Sequence, residues 1–130
     1  MSIKEASMKI NITSLLKARD VFENFRKNLN TDQEKAGAVQ AFESCYELSW
    51  KTMKRVLSFR GVEVTTPRDT FREAALAKLI ENPEDWFDFI RKRNLTVHTY
   101  DQENLQAIVA ILDVFSRELH KLIENLEKVT

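Results

Sequence analysis

The chain has 130 residues, 43% of them apolar and 31% charged, which is room for one core-bearing domain and not for two. Its 20 basic residues are balanced by 20 acidic ones, which excludes the strongly basic make-up of a general nucleic-acid binder and leaves only a local basic cleft open. Two glycines and two prolines are too few breakers for a β-rich domain and point to a few long helices.

The first predicted helix runs from about Thr13 to Leu29, with Leu15, Leu16, Phe22, Phe25 and Leu29 at helical spacing. Asn28 to Thr31 reads as a turn, and Thr31 or Asp32 caps the next helix. That second helix runs from about Gln33 to Arg60. Val39, Phe42, Tyr46, Trp50, Met53 and Leu57 form its apolar stripe, and Gly61 sits where a positive φ ends it. A third helix starts at Thr66-Pro67-Arg68-Asp69, a Thr cap with Pro at the first helical position. Its buried face is Phe71, Ala74, Ala75, Leu79 and Ile80. Asn82-Pro83-Glu84-Asp85 repeats the start signal, so this helix is broken, and its second half carries Trp86, Phe87, Phe89 and Ile90 to about Arg93 or Leu95. The last helix starts near Asp101 and runs to about Lys128 on a long stripe from Leu105 to Leu126. The expectation is an all-α, four- to five-helix up-and-down bundle with a broken third helix, spanning residues 1–130 as one domain. Trp50, Trp86, Phe87 and Phe89 overload one small core, which points to an apolar face used for dimerisation.

Cys45 is the only cysteine, so no intramolecular disulfide forms, and its place on an apolar helix face predicts a buried structural thiol. No stretch approaches the ~20 apolar residues that span a bilayer, and MSIKEASMKINITSLLK has neither a long apolar run nor a cleavage pattern, so a cytoplasmic protein with no membrane partner is expected. No metal site or cofactor is expected: His98 and His120 stand in no Glu-x-x-His or His-x-x-x-His frame, and no glycine-rich phosphate loop exists. His120 reads as a surface or core-edge residue.

Arg91 to Asp101 is different, because it gathers Arg91, Lys92, Arg93, Asn94, His98, Tyr100 and Asp101 at a helix junction. A guanidinium fork holds a phosphate, and an imidazole moves a proton near neutral pH. Together they suffice for phosphodiester cleavage without a metal. At 100° per residue, Arg93 and His98 lie about 140° apart on a continuous helix. They converge only if the helix ends between them, or if two protomers bring copies together. The β-branched Thr96, Val97 and Thr99 favour an ending. The plainer alternative stands beside this one: Arg93 pairs with an acid, His98 packs at a helix end and Tyr100 is a core-edge aromatic. Lys51, Lys54, Arg55, Arg91 and Lys92 either line a local nucleic-acid cleft or form a solvated face; Lys51 and Arg55 share a helix face.

Arg93-x4-His98 resembles the Arg-x4-6-His motif of the HEPN superfamily, and Arg-Asn-Leu-Thr-Val-His-Thr-Tyr-Asp resembles its HepT-like members, also known as nucleotidyltransferase substrate-binding proteins. The blocks Glu47-Leu48-Ser49-Trp50-Lys51 and Pro67-Arg68 to Phe71-Arg72-Glu73-Ala74 extend the likeness over most of the chain. The resemblance implies a helical bundle that dimerises so that two motifs meet at a cleft, and a small MntA-like nucleotidyltransferase as partner. One implied activity is a metal-independent ribonuclease, the toxin of a toxin–antitoxin pair. In it Arg93 holds the scissile phosphate, His98 is the acid/base and Asn94 orients them. The other is a non-catalytic substrate-binding or adaptor subunit of the nucleotidyltransferase. Tyr100 matches the tyrosine that such a partner adenylylates. A purely structural helical adaptor, in which His98 is dispensable, is a third reading.

Overall fold

The computed structural model describes residues 10–130, so part of the N-terminal stretch read above for a leader lies outside the described residues. Six α-helices and one short 3-10 turn make up the regular structure among the described residues: α1 (Thr13–Phe25), α2 (Asp32–Phe59), α3 (Pro67–Leu76), α4 (Pro83–Leu95), the turn Thr96–His98, α5 (Gln102–Ala110) and α6 (Leu112–Val129). The all-α bundle with a divided third helix is therefore present. None of these helices is long and apolar enough to cross a membrane.

Local chemistry sets most of the ends. Thr31 Oγ1 accepts from the Glu34 amide at 3.1 Å while Glu34 Oε1 accepts from the Thr31 amide at 2.9 Å, a reciprocal box that starts α2. Glu34 also takes the Asn30 amide at 3.1 Å, and this stiffens the turn after α1, which stops at Phe25 rather than Leu29. At the far end of α2, Gly61 adopts φ +81°, and Gly61 and Val62 return their amides to Ser58 and Leu57 at 3.0 and 2.9 Å. The same pattern ends α3 without a glycine: Lys78 takes φ +62°, with Lys78 and Leu79 donating to Ala75 and Ala74 at 3.1 and 2.9 Å.

The last helix differs from expectation. It is two helices, split at Ile111 (φ −99°, ψ 0°), whose amide folds back to Ile108 at 3.1 Å. Ile108, Val109, Ile111 and Val114 crowd β-branched side chains into this stretch and weaken the helix there. The stripe survives the break, because Leu105 and Ile108 before it and Leu112, Phe115 and Leu119 after it are all buried.

Phe115 is the hub of the interior. Its ring stands 5.3 Å from Phe22, 4.8 Å from Phe42, 5.1 Å from Phe89 and 6.0 Å from Trp86, joining α6 to α1, α2 and α4. Phe71 extends the cluster into α3, 5.2 Å from Trp86 and 6.0 Å from Tyr46. Trp86 and Phe89 are thus wholly buried, while Trp50 and Phe87 are half-buried at the edge. Arg68 covers Phe87 at 4.8 Å, and Lys54 lies 6.0 Å from the Trp50 ring.

Candidate functional site at the α4–α5 junction

Helix α4 ends between Arg93 and His98, one of the two conditions that helical geometry set for these residues. Leu95, Thr96 and Thr99 keep ordinary right-handed backbone, so the chain tightens into a 3-10 turn without a positive φ. The turn is pinned through the His98 carbonyl, which accepts the Asp101 amide at 3.2 Å and Asn104 Nδ2 at 3.1 Å. Asp101 then caps α5 through the Glu103 amide at 2.8 Å.

Arg93 turns toward α2. Its Nε donates to Glu47 Oε1 at 3.2 Å, and its Nη1 donates to Thr96 Oγ1 at 3.0 Å and lies 3.6 Å from Glu43 Oε2. The single Thr96 hydroxyl proton has two acceptors in reach, Glu43 Oε2 at 2.6 Å and the Arg93 carbonyl at 2.7 Å. Trp50 Nε1 donates to the other Glu47 oxygen at 3.1 Å. Glu43 and Glu47, four apart on α2, thus grip the inner edges of the guanidinium, while Nη2 makes no hydrogen bond among the described residues. Behind this clamp, burial pushes the Tyr46 phenol well above its ordinary range; Glu47 adds to the shift and Arg93 opposes it.

His98 and Tyr100 form a second, separate pair. Both are exposed, with His98 Nδ1 3.0 Å from the Tyr100 hydroxyl and the rings edge to face at 5.6 Å. Tyr100 is 82% exposed, so it is not the core-edge aromatic of the plainer reading. No hydrogen bond joins this pair to Arg93 among the described residues. Asn94 is exposed and makes no side-chain hydrogen bond there. Arg91 and Lys92 share Asp88, at 3.2 and 2.9 Å. Lys51 lies 4.0 Å from Glu47, and Arg55 follows one turn along α2, exposed and without an ion pair among the described residues.

Both halves of the plainer reading therefore hold in part: Arg93 does pair with acids, and His98 does sit at a helix end, yet exposed rather than packed. Glu43, Glu47, Thr96 and Trp50 belong to the site and were not singled out for it from sequence. The i,i+4 spacing of two acids on the face of α2 was the available signal. Elsewhere, Cys45 is fully buried, and burial, with the Glu23 carboxylate, pushes its thiol up to about 12, as expected of a structural thiol. His120 is exposed on α6 and donates from Nδ1 to the Ser116 carbonyl at 2.7 Å. No group of three or more His, Cys, Asp or Glu side chains gathers in metal-binding geometry among the described residues.

The fold defines a class, an all-α bundle, and the comparisons with known proteins place it in a family. A family model described as nucleotidyltransferase substrate binding protein like matches residues 9–128, and the chain belongs to that family. The probable ribonuclease HepT of Haemophilus influenzae is 40% identical over 98 residues, which cover 72% of this chain and 67% of that protein. A solved Haemophilus influenzae structure, described as revealing the fold of a substrate binding domain of a nucleotidyltransferase, matches with a TM-score of 0.80 at 34% identity, covering 90% of this chain and 99% of that one. A crystal structure from Thermus thermophilus matches with a TM-score of 0.81 at 25% identity, covering 86% and 98% of the two chains.

Proposed function

We propose that this chain is a HepT-like HEPN protein, its residues 1–130 acting as one domain in the cytoplasm, and that it is a metal-independent ribonuclease paired with a small MntA-like nucleotidyltransferase. The observation that carries this reading is the helix end itself. It leaves an anchored guanidinium with one free edge at Arg93 and an exposed imidazole five residues later, in a relative of a probable ribonuclease. Two protomers present two such ends to one cleft. In it Arg93 Nη2 binds the scissile phosphate, and Asn94, whose side chain makes no hydrogen bond among the described residues, orients phosphate and base. Lys51, Arg55, Arg91 and Lys92 carry the RNA backbone on either side.

The chemistry follows from the imidazole. With Nδ1–H donated to the Tyr100 oxygen, His98 Nε2 is the open base. It takes the proton of a ribose 2′-hydroxyl, whose oxygen attacks phosphorus. The P–O5′ bond breaks, the protonated imidazole returns its proton to the departing 5′ oxygen, and a 2′,3′-cyclic phosphate and a 5′-hydroxyl result, with Arg93 stabilising the added charge. Adenylylation of Tyr100 by the partner sets a phosphate beside His98 and closes the site, which is the antitoxin reaction in this scheme.

The test is RNA cleavage in EDTA by wild type and His98→Ala. Cleavage by wild type, falling at least about 100-fold in the variant, is expected. Equal cleavage, or none by wild type, overturns the ribonuclease. One observation favours the second reading, a non-catalytic substrate-binding subunit: Glu43 and Glu47 already neutralise Arg93 and compete with any phosphate. That reading predicts tight binding to the nucleotidyltransferase with no cleavage by wild type.

A further inference from the structure

The hydrogen bond between His98 and Tyr100 can run in either direction. At 3.0 Å between Nδ1 and the hydroxyl oxygen, the proton belongs either to the imidazole or to the phenol, according to the tautomer. The first arrangement serves the ribonuclease scheme. The second has a consequence of its own: a phenol that donates to a neutral imidazole nitrogen has its base already in place.

We propose that His98 is also the general base that activates Tyr100 as a nucleophile toward the α-phosphorus of a nucleoside triphosphate. This rests on the reading above that Tyr100 is the group a nucleotidyltransferase modifies. As Tyr100 Oη attacks, the Oη–Pα bond forms and the bond from Pα to the bridging oxygen breaks. Pyrophosphate leaves with that electron pair, and the phenolic proton passes to His98 Nδ1, from which it is lost to water. One imidazole thus serves two reactions, from Nε2 toward RNA and from Nδ1 toward Tyr100.

Three features of the site support this. Tyr100 is 82% exposed, so the nucleotide of a docked enzyme reaches it from solvent. The His98 carbonyl accepts both the Asp101 amide and Asn104 Nδ2, which holds the turn that carries the imidazole, and the ring itself meets the Tyr100 hydroxyl at 3.0 Å. The edge-to-face ring contact, at 88° between planes, leaves the Tyr100 hydroxyl directed to Nδ1 and open on its other side. The chain's other tyrosine, Tyr46, is 2% exposed and cannot substitute for it.

The first arm of the experiment needs no partner. An aryl sulfonyl fluoride reacts with a phenol by forming an O–S bond and expelling fluoride, and it makes the same demand for a base. Wild type and His98→Gln are treated with the probe, and labelling of the Tyr100 peptide is followed by mass spectrometry, with lysine labelling as the control for reagent. The expected result is labelling of Tyr100 at least about tenfold slower in His98→Gln, with lysine rates unchanged. Equal or faster labelling in the variant overturns the inference, because the imidazole would then only shield the phenol. A second arm incubates wild type, His98→Gln and Tyr100→Phe with the partner nucleotidyltransferase and ATP, and weighs the intact chain. Transfer to wild type, at least about tenfold slower to His98→Gln and absent from Tyr100→Phe, supports the inference. No transfer to wild type, with labelling still dependent on His98, overturns the modification reading and not the activation.

Discussion

Phe115 and Tyr100 are aromatic residues of the same chain with opposite surroundings. Phe115 is fully buried and meets four rings from three other helices, whereas Tyr100 is 82% exposed and meets one ring, that of His98. The interior is over-determined: losing one contact leaves several to hold each ring. At the junction the exposed His98–Tyr100 pair meets through one hydrogen bond, which is free to break or to reverse direction. Burial also silences chemistry, since it keeps the Cys45 thiol and the Tyr46 phenol protonated, while the exposed pair keeps both ring nitrogens and the hydroxyl available. Arg93 lies between the two regimes, with one edge bound to α2 and one edge free.

The largest effect that tests this contrast is truncation of the hub. Phe115→Ala should cost about 4 kcal/mol in urea unfolding, because it opens a cavity shared by four rings. Tyr100→Ala should stay within about 0.5 kcal/mol of wild type. A small loss for Phe115→Ala would mean that the ring cluster is not what joins α6 to the other helices. Next comes Glu118, a carboxylate 1% exposed on α6. It accepts from Asn82 Nδ2 at 3.2 Å and Arg117 Nε at 3.0 Å, with Lys121 Nζ at 3.4 Å. Burial opposes its ionisation, but the bonds from Arg117 and Asn82 and the Lys121 charge outweigh that and hold it below the usual carboxylate range. Glu118→Gln should cost about 2 kcal/mol at pH 7. The sign with pH is fixed by that lowered value. The contribution is complete above the unfolded carboxyl value of about 4.3 and is lost as pH falls through the folded one, so the gap to the variant closes in acid. A gap that stays constant from pH 7 to pH 3 would assign the effect to shape rather than charge.

A middle-sized effect belongs to the clamp. Glu47→Gln removes the charge that holds Arg93 Nε and accepts from Trp50. In the ribonuclease reading, kcat/KM for RNA should fall about tenfold, through loss of orientation, while Glu118→Gln leaves it unchanged. A rise in cleavage would recast Glu47 as a competitor of the phosphate rather than a support for Arg93.

How much of this was legible follows the same division. The helix starts at Thr31 and Pro67 and the stop at Gly61 are local chemistry, so they were readable in order. The lapse at Ile111 was not, because the apolar stripe runs through it unbroken. Asn82 read as part of a helix start, but its side chain makes no cap bond and is diverted to Glu118, 36 residues away. The motif from Arg93 to Tyr100 was visible as composition, and its helix end as β-branched crowding. Its tie to Glu43 and Glu47 was not, because it joins residues 46 or more positions apart and depends on how α4 lies on α2.

The smallest effect compares the two ends of α4. The chain reaches its N-terminal end from Lys78, held at φ +62°, and leaves its C-terminal end through residues with ordinary negative φ. A left-handed L-residue is disfavoured by contact between its Cβ and the backbone, and glycine has no such contact. Lys78→Gly should therefore raise stability by about 1 kcal/mol, less the extra freedom glycine gives the unfolded chain. Lys78→Ala keeps the Cβ and should gain nothing. Neither change touches the α4–α5 junction, so RNA cleavage and Tyr100 labelling should match wild type. If Lys78→Gly altered either one, α4 would be transmitting strain between its ends, and the backbone at the site would not be as relaxed as its dihedral angles indicate.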